Sequence, residues 1–330
     1  MDLDGLLRLA REKGASDIHL QEWMVPALRV DGELVPAGDE EINAIQIQEL
    51  TEKVMSPFAK GDYFRDGDAG DADAGYLSAD GIRARIHCFQ SMGAKCVSMR
   101  VFPQGIPRME SLRIPLAFQK LAEKEHGLIL VSGPTGSGKS TTLAAMIDAI
   151  NSMRHVRIIT IEDPIEYIHF SQKAMIAQRE VGKDCPSFLS GLRSALRQDP
   201  DVILVGELRD RESVSTALMA AETGHLVFTT LHAGNVIEAV DRIMQYFPAD
   251  YQSEARNQLA NALLGIAAQK LLPKKQGGRV AAFEILLPTP AVINLIRRGT
   301  IHEIRNYMHT SEGMQTFEEA MKELRRFQLV

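Results

Sequence analysis

One octapeptide restricts this chain more than any other feature. Gly133-Pro134-Thr135-Gly136-Ser137-Gly138-Lys139-Ser140 meets G-x-x-x-x-G-K-[ST] at every fixed position. The run before it, Leu128-Ile129-Leu130-Val131, is continuously apolar, the pattern of a strand covered on both faces. The residues after it, Ser140 to Ser152, read as a long helix. Strand, glycine-rich turn and helix in that order make a cradle for polyphosphate. Glycine lets the backbone approach closely, and free N–H groups and the helix N-terminus then face the anion. Lys139 is placed against the β- and γ-phosphates, and Ser140 is placed to bind Mg²⁺. Residues 133–141, closing with Thr141, are the expected nucleotide-binding set, with ATP and Mg²⁺ as cofactors.

Further apolar runs at Val156–Ile161, Val202–Val205 and Leu226–Thr230 alternate with helical segments, which predicts an α/β domain with a mainly parallel sheet. The first hundred residues are patterned differently. Leu3, Leu6, Leu7, Leu9 and Ala10 suit one face of an opening helix. Asp17–Leu20 and Ala27–Val30 read as short strands, with a turn at Asp31-Gly32. A helix over Ala44–Val54 and a hairpin through Arg83–Phe89 and Lys95–Phe102 follow. Pro103, Gly105 and Pro107 mark a linker. The expected division is a domain over 1–102, a linker over 103–115 and a second domain over 116–330 with a helical, amphipathic tail at Thr316–Arg326. Asp66–Asp71 superficially matches a calcium loop, but its twelfth position is Leu77 rather than a bidentate glutamate, so a solvated loop is expected.

Composition excludes several classes. A net charge of −6 gives no global attraction for nucleic acid, and none is expected as a partner. The N-terminus lacks the pattern of a signal peptide, and no run reaches the roughly 18 apolar residues of a spanning helix. Cys88, Cys96 and Cys185 form no C-x-x-C pair and read as free thiols of a reducing cytosol.

Two acidic clusters end successive apolar runs: Glu162-Asp163-Pro164-Ile165-Glu166 and Gly206-Glu207. In a parallel sheet the carboxyl ends of neighbouring strands share one edge, where ligands bind. A carboxylate there orients or deprotonates water, and another holds Mg²⁺ through water. The competing reading is that such residues cap helix N-termini, a role that suits Asp163 before Pro164. His225 and His232 flank another apolar strand; by spacing alone a lone histidine is a hydrogen-bonded structural residue more often than a phosphate contact.

Taken in order, these segments resemble the secretion ATPase superfamily, and within it the type IV pilus retraction ATPases (PilT family). The resemblance extends to Gly14–Leu20, Val30–Leu34, an Asp box at Ile161–Glu166, a Walker B segment at Leu204–Glu207 running into Leu208-Arg209-Asp210, a His box at Thr223–His232, and Gly313–Phe317. It implies a PAS-like N-terminal domain and a RecA-like ATPase domain. It implies Glu166 as general base, Glu207 as the Walker B glutamate reaching Mg²⁺ through water, and His225 and His232 as a functional pair. Arg83, Arg85 and Arg100 match positions that reach the nucleotide phosphates, against the plain reading of arginines on a surface hairpin. The implied machine is a cytoplasmic homo-hexamer at the inner face of the cell membrane that turns an inner-membrane pilus platform protein, in some systems beside a paralogous motor.

Two positions depart from the family pattern. Ala291-Val292-Ile293-Asn294-Leu295-Ile296 has Ile293 where an arginine linked to retraction is usual, and Trp23-Met24-Val25 replaces small residues and proline, with Trp23 read as core packing in preference to an exposed partner contact. The rival assignments are a pilus-extension or type II secretion ATPase, whose four-cysteine zinc module is missing here, a nucleic-acid translocase, and a nucleotide-switched adaptor without turnover.

Overall fold

The computed structural model describes residues 2–55, 71–103, 105–309 and 312–330. The chain divides into two compact units, Met1–Gly105 and Ile106–Val330.

The first unit is built from α1 (Leu3–Glu12), β1 (Asp17–Gln21), β2 (Ala27–Val30), β3 (Glu33–Pro36), α2 (Ala44–Met55), β4 (Ala72–Leu77), β5 (Arg83–Ser91) and β6 (Ala94–Val101). Asp2 caps α1 by accepting from the amides of Asp4 and Gly5. Leu3, Leu6, Leu7 and Ala10 then fall on one buried stripe, while Leu9 sits at its margin. The hairpins turn where the chain tolerates positive φ at two successive residues, Asp31 and Gly32 (49° and 93°) and Met92 and Gly93 (52° and 81°). The six strands form one antiparallel sheet in the order β3-β2-β1-β6-β5-β4. The first and last strands thus lie together at the centre, as in a PAS-like sheet. Both helices contribute to the single core on one face.

One expectation changes here. Trp23 is not core: it is 68% exposed, on a left-handed turn residue (φ 65°) whose amide bonds Ile42 O, and that conformation points the indole outward. Ala72–Leu77, for which the sequence analysis assigned no element, forms β4, because pairing with β5 satisfies its backbone whatever its propensity. The calcium-like stretch before Asp71 lies outside the described residues. Met109 and Ile114, within the span expected as linker, are buried in the core of the second unit.

That unit comprises α3 (Leu116–Gln119), β7 (Gly127–Ser132), α4 (Lys139–Met153), β8 (Arg157–Glu162), β9 (Met175–Glu180), α5 (Phe188–Ala195), β10 (Val202–Val205), α6 (Arg211–Glu222), β11 (Leu226–Leu231), α7 (Val236–Gln245), α8 (Ala249–Ala262), β12 (Leu263–Pro273), β13 (Arg279–Leu286), α9 (Pro290–Arg298) and α10 (Phe317–Arg326). Its sheet has the order β13-β12-β7-β11-β10-β8-β9, parallel except for the β12–β13 pair. Side chains alternate strictly across the inner strands: Ile129 and Val131 pack with α4, whereas Leu128 and Leu130 pack in the core that includes α6, α7 and α9. Burial on both faces is why these strands read as unbroken apolar runs. The fold class is the expected α/β one. Ile293 sits half-buried on α9 against the main core. All three cysteines are free and buried, and no helix among the described residues is long and apolar enough to cross a membrane.

Candidate nucleotide site

The order of strands puts β11 between β7, which leads into the glycine-rich turn, and β10. All of β7, β11, β10 and β8 run parallel, so their carboxyl ends form one edge. The glycine-rich turn rises from that edge. Gly133, Gly136 and Gly138 all have positive φ (151°, 75° and 90°). A Cβ at Gly133 would lie 2.5 Å from both the Gln269 carbonyl oxygen and Ser137 Oγ. The helix that follows, α4, has no side-chain cap at its N-terminus, which suits its first amides to an anion. Lys139 Nζ donates to the carbonyls of Gly133 (2.8 Å) and Pro134 (3.0 Å) and so arches over the turn.

A residue absent from the sequence reading holds this turn in shape. Gln269 on β12 is buried; its Nε2 donates to Ser137 O (2.7 Å) and its Oε1 accepts from Thr142 Oγ1 (2.8 Å). It therefore ties the loop and the first turn of α4 to the neighbouring strand. No local signal marks it, because β12 adjoins β7 only through the tertiary fold.

Two carboxylates act on the lysine. Burial lowers the Lys139 pKa, and the charges of Glu207 and Glu166 oppose that shift. Glu207 follows the end of β10, with its Oε2 2.9 Å from Arg209 Nε and its Oε1 3.4 Å from His232 Nε2. Neither Glu166 nor Glu207 caps a helix. The cap of α6 is Asp210, and the segment after β8 runs irregularly to β9, so Asp163 caps nothing either. Glu162 turns aside, with its Oε1 accepting from Thr160 Oγ1 (2.6 Å) and Gln178 Nε2 (3.2 Å).

The two histidines part company. His232 follows β11 at the nucleotide edge. His225 precedes β11 at the opposite edge, separated by the strand Leu226–Leu231, about 20 Å of extended chain. Its Nδ1 bonds Ala220 O (2.9 Å), so Nδ1 carries the proton and the ring closes the end of α6. Within this unit only His232 joins the carboxylates and Lys139.

Burial and then the Lys139 charge lower the His232 pKa, while Glu207 raises it. The ring is neutral at pH 7. Replacing Glu207 by Gln removes the group that favours the imidazolium, so the His232 pKa, followed by NMR titration, is expected to fall further below its ordinary 6.5. A rise would contradict this placement.

Ser140, exposed in the first turn of α4, and Glu207 offer hard oxygen donors of the kind Mg²⁺ takes. Among the described residues no group of three or more His, Cys, Asp or Glu side chains is placed to hold a metal alone. Two protein donors fit an ion that shares its shell with phosphate oxygens and water. Thr141, the next residue, bonds Tyr167 through its hydroxyl (2.9 Å).

The arginines come together within the first unit. Arg85 and Arg100 are directly opposite one another on β5 and β6, and Arg83 lies two residues along on the same outward face. Arg85 pairs with Asp73 (3.0 Å) and Arg100 with Asp17 (3.2 Å).

Known proteins resemble this chain over nearly its whole length. The family model described as "Type II/IV secretion system protein" matches residues 2–326. The type IV pilus retraction ATPase PilT of Pseudomonas aeruginosa is 41% identical over 98% of this chain and 94% of its own length. The type IV pilus ATPase PilU of the same organism is 41% identical over 98% of this chain and 85% of its own length. A crystal structure of the pilus retraction motor PilT with bound ADP superposes with a TM-score of 0.91 at 42% identity, covering 100% of this chain and 94% of that one.

Proposed function

This chain belongs to the type II/IV secretion system protein family, and from that premise we propose that it is the ATPase that powers retraction of a type IV pilus. The observation that carries the reading is the glycine-rich cradle with Lys139 arched over it, at the strand edge that also holds Glu207 against His232, with the charges of Glu207 and Glu166 acting on Lys139. A binding-only adaptor has no use for two carboxylates beside the lysine, because their charge opposes the phosphates they would face.

In the proposed cycle, Lys139 exchanges its bonds to Gly133 O and Pro134 O for oxygens of the β- and γ-phosphates. The first amides of α4 hold the same phosphates. Glu166 orients a water and accepts its proton as the water oxygen bonds the γ-phosphorus, while the bond from that phosphorus to the bridging oxygen breaks and ADP leaves. Glu207 is held in place by Arg209, and neutral His232 beside it is available to contact the terminal phosphate. Ser140 and Glu207 would hold Mg²⁺, which would supply neutralisation of the phosphate charge when bound. Arg83, Arg85 and Arg100 are proposed to answer the remaining phosphate charge, and its loss on phosphate release drives the conformational step. His225 is assigned to the stability of α6 rather than to chemistry.

The proposed working form is a homo-hexamer on the cytoplasmic side of the membrane, acting on a platform protein of the pilus. A second reading, a motor that extends the fibre, is favoured by one residue: Ile293 on α9 buries apolar surface where retraction motors are expected to carry arginine. The two directions predict opposite phenotypes. Cells lacking a retraction motor keep surface pili but lose surface motility, whereas cells lacking an extension motor show no pili. We expect the first outcome on deletion, with motility restored by the wild-type chain and not by E166Q. Bald cells would overturn the retraction assignment.

A further inference from the structure

We propose that Gln178, on the edge strand β9, is a positioning residue for Glu166. This rests on the reading of Glu166 as the general base. That residue lies in an irregular segment between β8 and β9, where no ladder of backbone bonds fixes it. The segment is instead braced by side chains on both sides of Glu166. Ile165 N donates to Glu180 Oε2 (3.2 Å), Gln178 Nε2 donates to Tyr167 O (2.8 Å), and His169 N donates to Gln178 Oε1 (2.8 Å). The side chain of Gln178 thus bonds a carbonyl and an amide two residues apart, as a neighbouring strand would with its backbone.

Only a carboxamide serves both partners at once, since it carries a donor and an acceptor at one tip. The register explains its aim. Gln178 stands opposite Thr160 and Glu180 opposite Glu162, so both side chains leave β9 on the face that carries Glu162. Ile165 and Tyr167 are buried, and the Tyr167 hydroxyl bonds Thr141 beside the proposed Mg²⁺ ligand Ser140. Glu166, between them, is therefore referenced to both the sheet edge and α4. A general base misplaced by an ångström loses much of its effect, while binding of the phosphates by the cradle does not depend on it.

The test uses the full chain with saturating Mg-ATP. Q178M keeps the length of the side chain and removes both of these bonds together with the one to Glu162 Oε1. Its kcat is expected to fall by about tenfold or more, with nucleotide Kd and thermal midpoint close to wild type. Q178E keeps the acceptor for His169 N, but it loses the donor and sets a carboxylate against Glu162 Oε1, so its kcat is expected to fall at least as far as that of Q178M. In an E166Q background Q178M is expected to add less than about a twofold loss, because a brace has nothing left to position. The proposal is overturned if Q178M turns over within about threefold of wild type while E166Q is inactive, if kcat falls only in step with Kd or thermal midpoint, or if the double variant is additive. Should Q178M fail to fold, Q178E decides: wild-type kcat overturns the proposal, and a reduced kcat at unchanged Kd supports it. An E166Q enzyme that still hydrolyses ATP removes the premise itself, whatever Q178M does.

Discussion

Glu166→Gln is expected to lower ATP turnover by about 10²- to 10⁴-fold, the usual contribution of a positioned general base. The amide has the shape of the carboxylate and cannot accept the proton of the attacking water. Nucleotide binding is expected to survive and to tighten. Glu166 favours the charge on Lys139, but it also repels a polyphosphate arriving at the same ammonium. Removing one negative charge from the cradle leaves the helix amides and Lys139 unopposed by it. Phosphate release at saturating Mg-ATP measures the first effect, and equilibrium titration with a fluorescent ATP analogue measures the second. Turnover within threefold of wild type would mean that another group serves as base.

The second large effect comes from a methyl group. In Gly133→Ala the new Cβ would meet the Gln269 carbonyl oxygen and Ser137 Oγ, each at 2.5 Å, at a residue with φ of 151°. The serine hydroxyl is able to rotate away. The carbonyl belongs to β12, is part of the sheet, and has nowhere to go. The loop must therefore lift from its supporting strand, which breaks the Gln269 bonds to Ser137 and Thr142. We expect nucleotide affinity to fall by at least about tenfold and stability by about 1–3 kcal/mol, the usual cost of overpacking. Gly136→Ala is the internal control. Its φ is 75°, but nothing lies within 4 Å of a Cβ there, so only backbone strain of about 1–2 kcal/mol is added. If Gly133→Ala bound nucleotide as tightly as Gly136→Ala, the close approach of β12 to the loop would be disproved.

Much of the site was legible because its parts are local. The glycine-rich turn is a contiguous motif whose geometry follows from its own backbone. Glu166 and Glu207 were legible because each closely follows an apolar run, and a parallel sheet places all such ends on one edge. The helix-cap alternative was equally local, and sequence had no means of rejecting it. It fell only when the segment after β8 proved irregular and Asp210 proved to be the cap of α6. The histidine pair shows the opposite limit. His225 and His232 look equivalent in sequence, yet a strand running between them sends one to each edge of the sheet.

What the amino-acid sequence determined by itself was the class of chemistry: a phosphate cradle, its lysine and the carboxylates at strand ends, all encoded within short stretches of chain. What only the tertiary structure decided was which distant side chains hold that machinery still. Gln269 and Gln178 lie on strands β12 and β9, neither of them marked in the sequence reading, and they act on the loop and on the Glu166 segment through pairings made across the sheet. A polar residue on a strand carries no periodic signature of its partner. Its role exists only once the sheet order has placed a backbone group in need of a bond within reach of its amide.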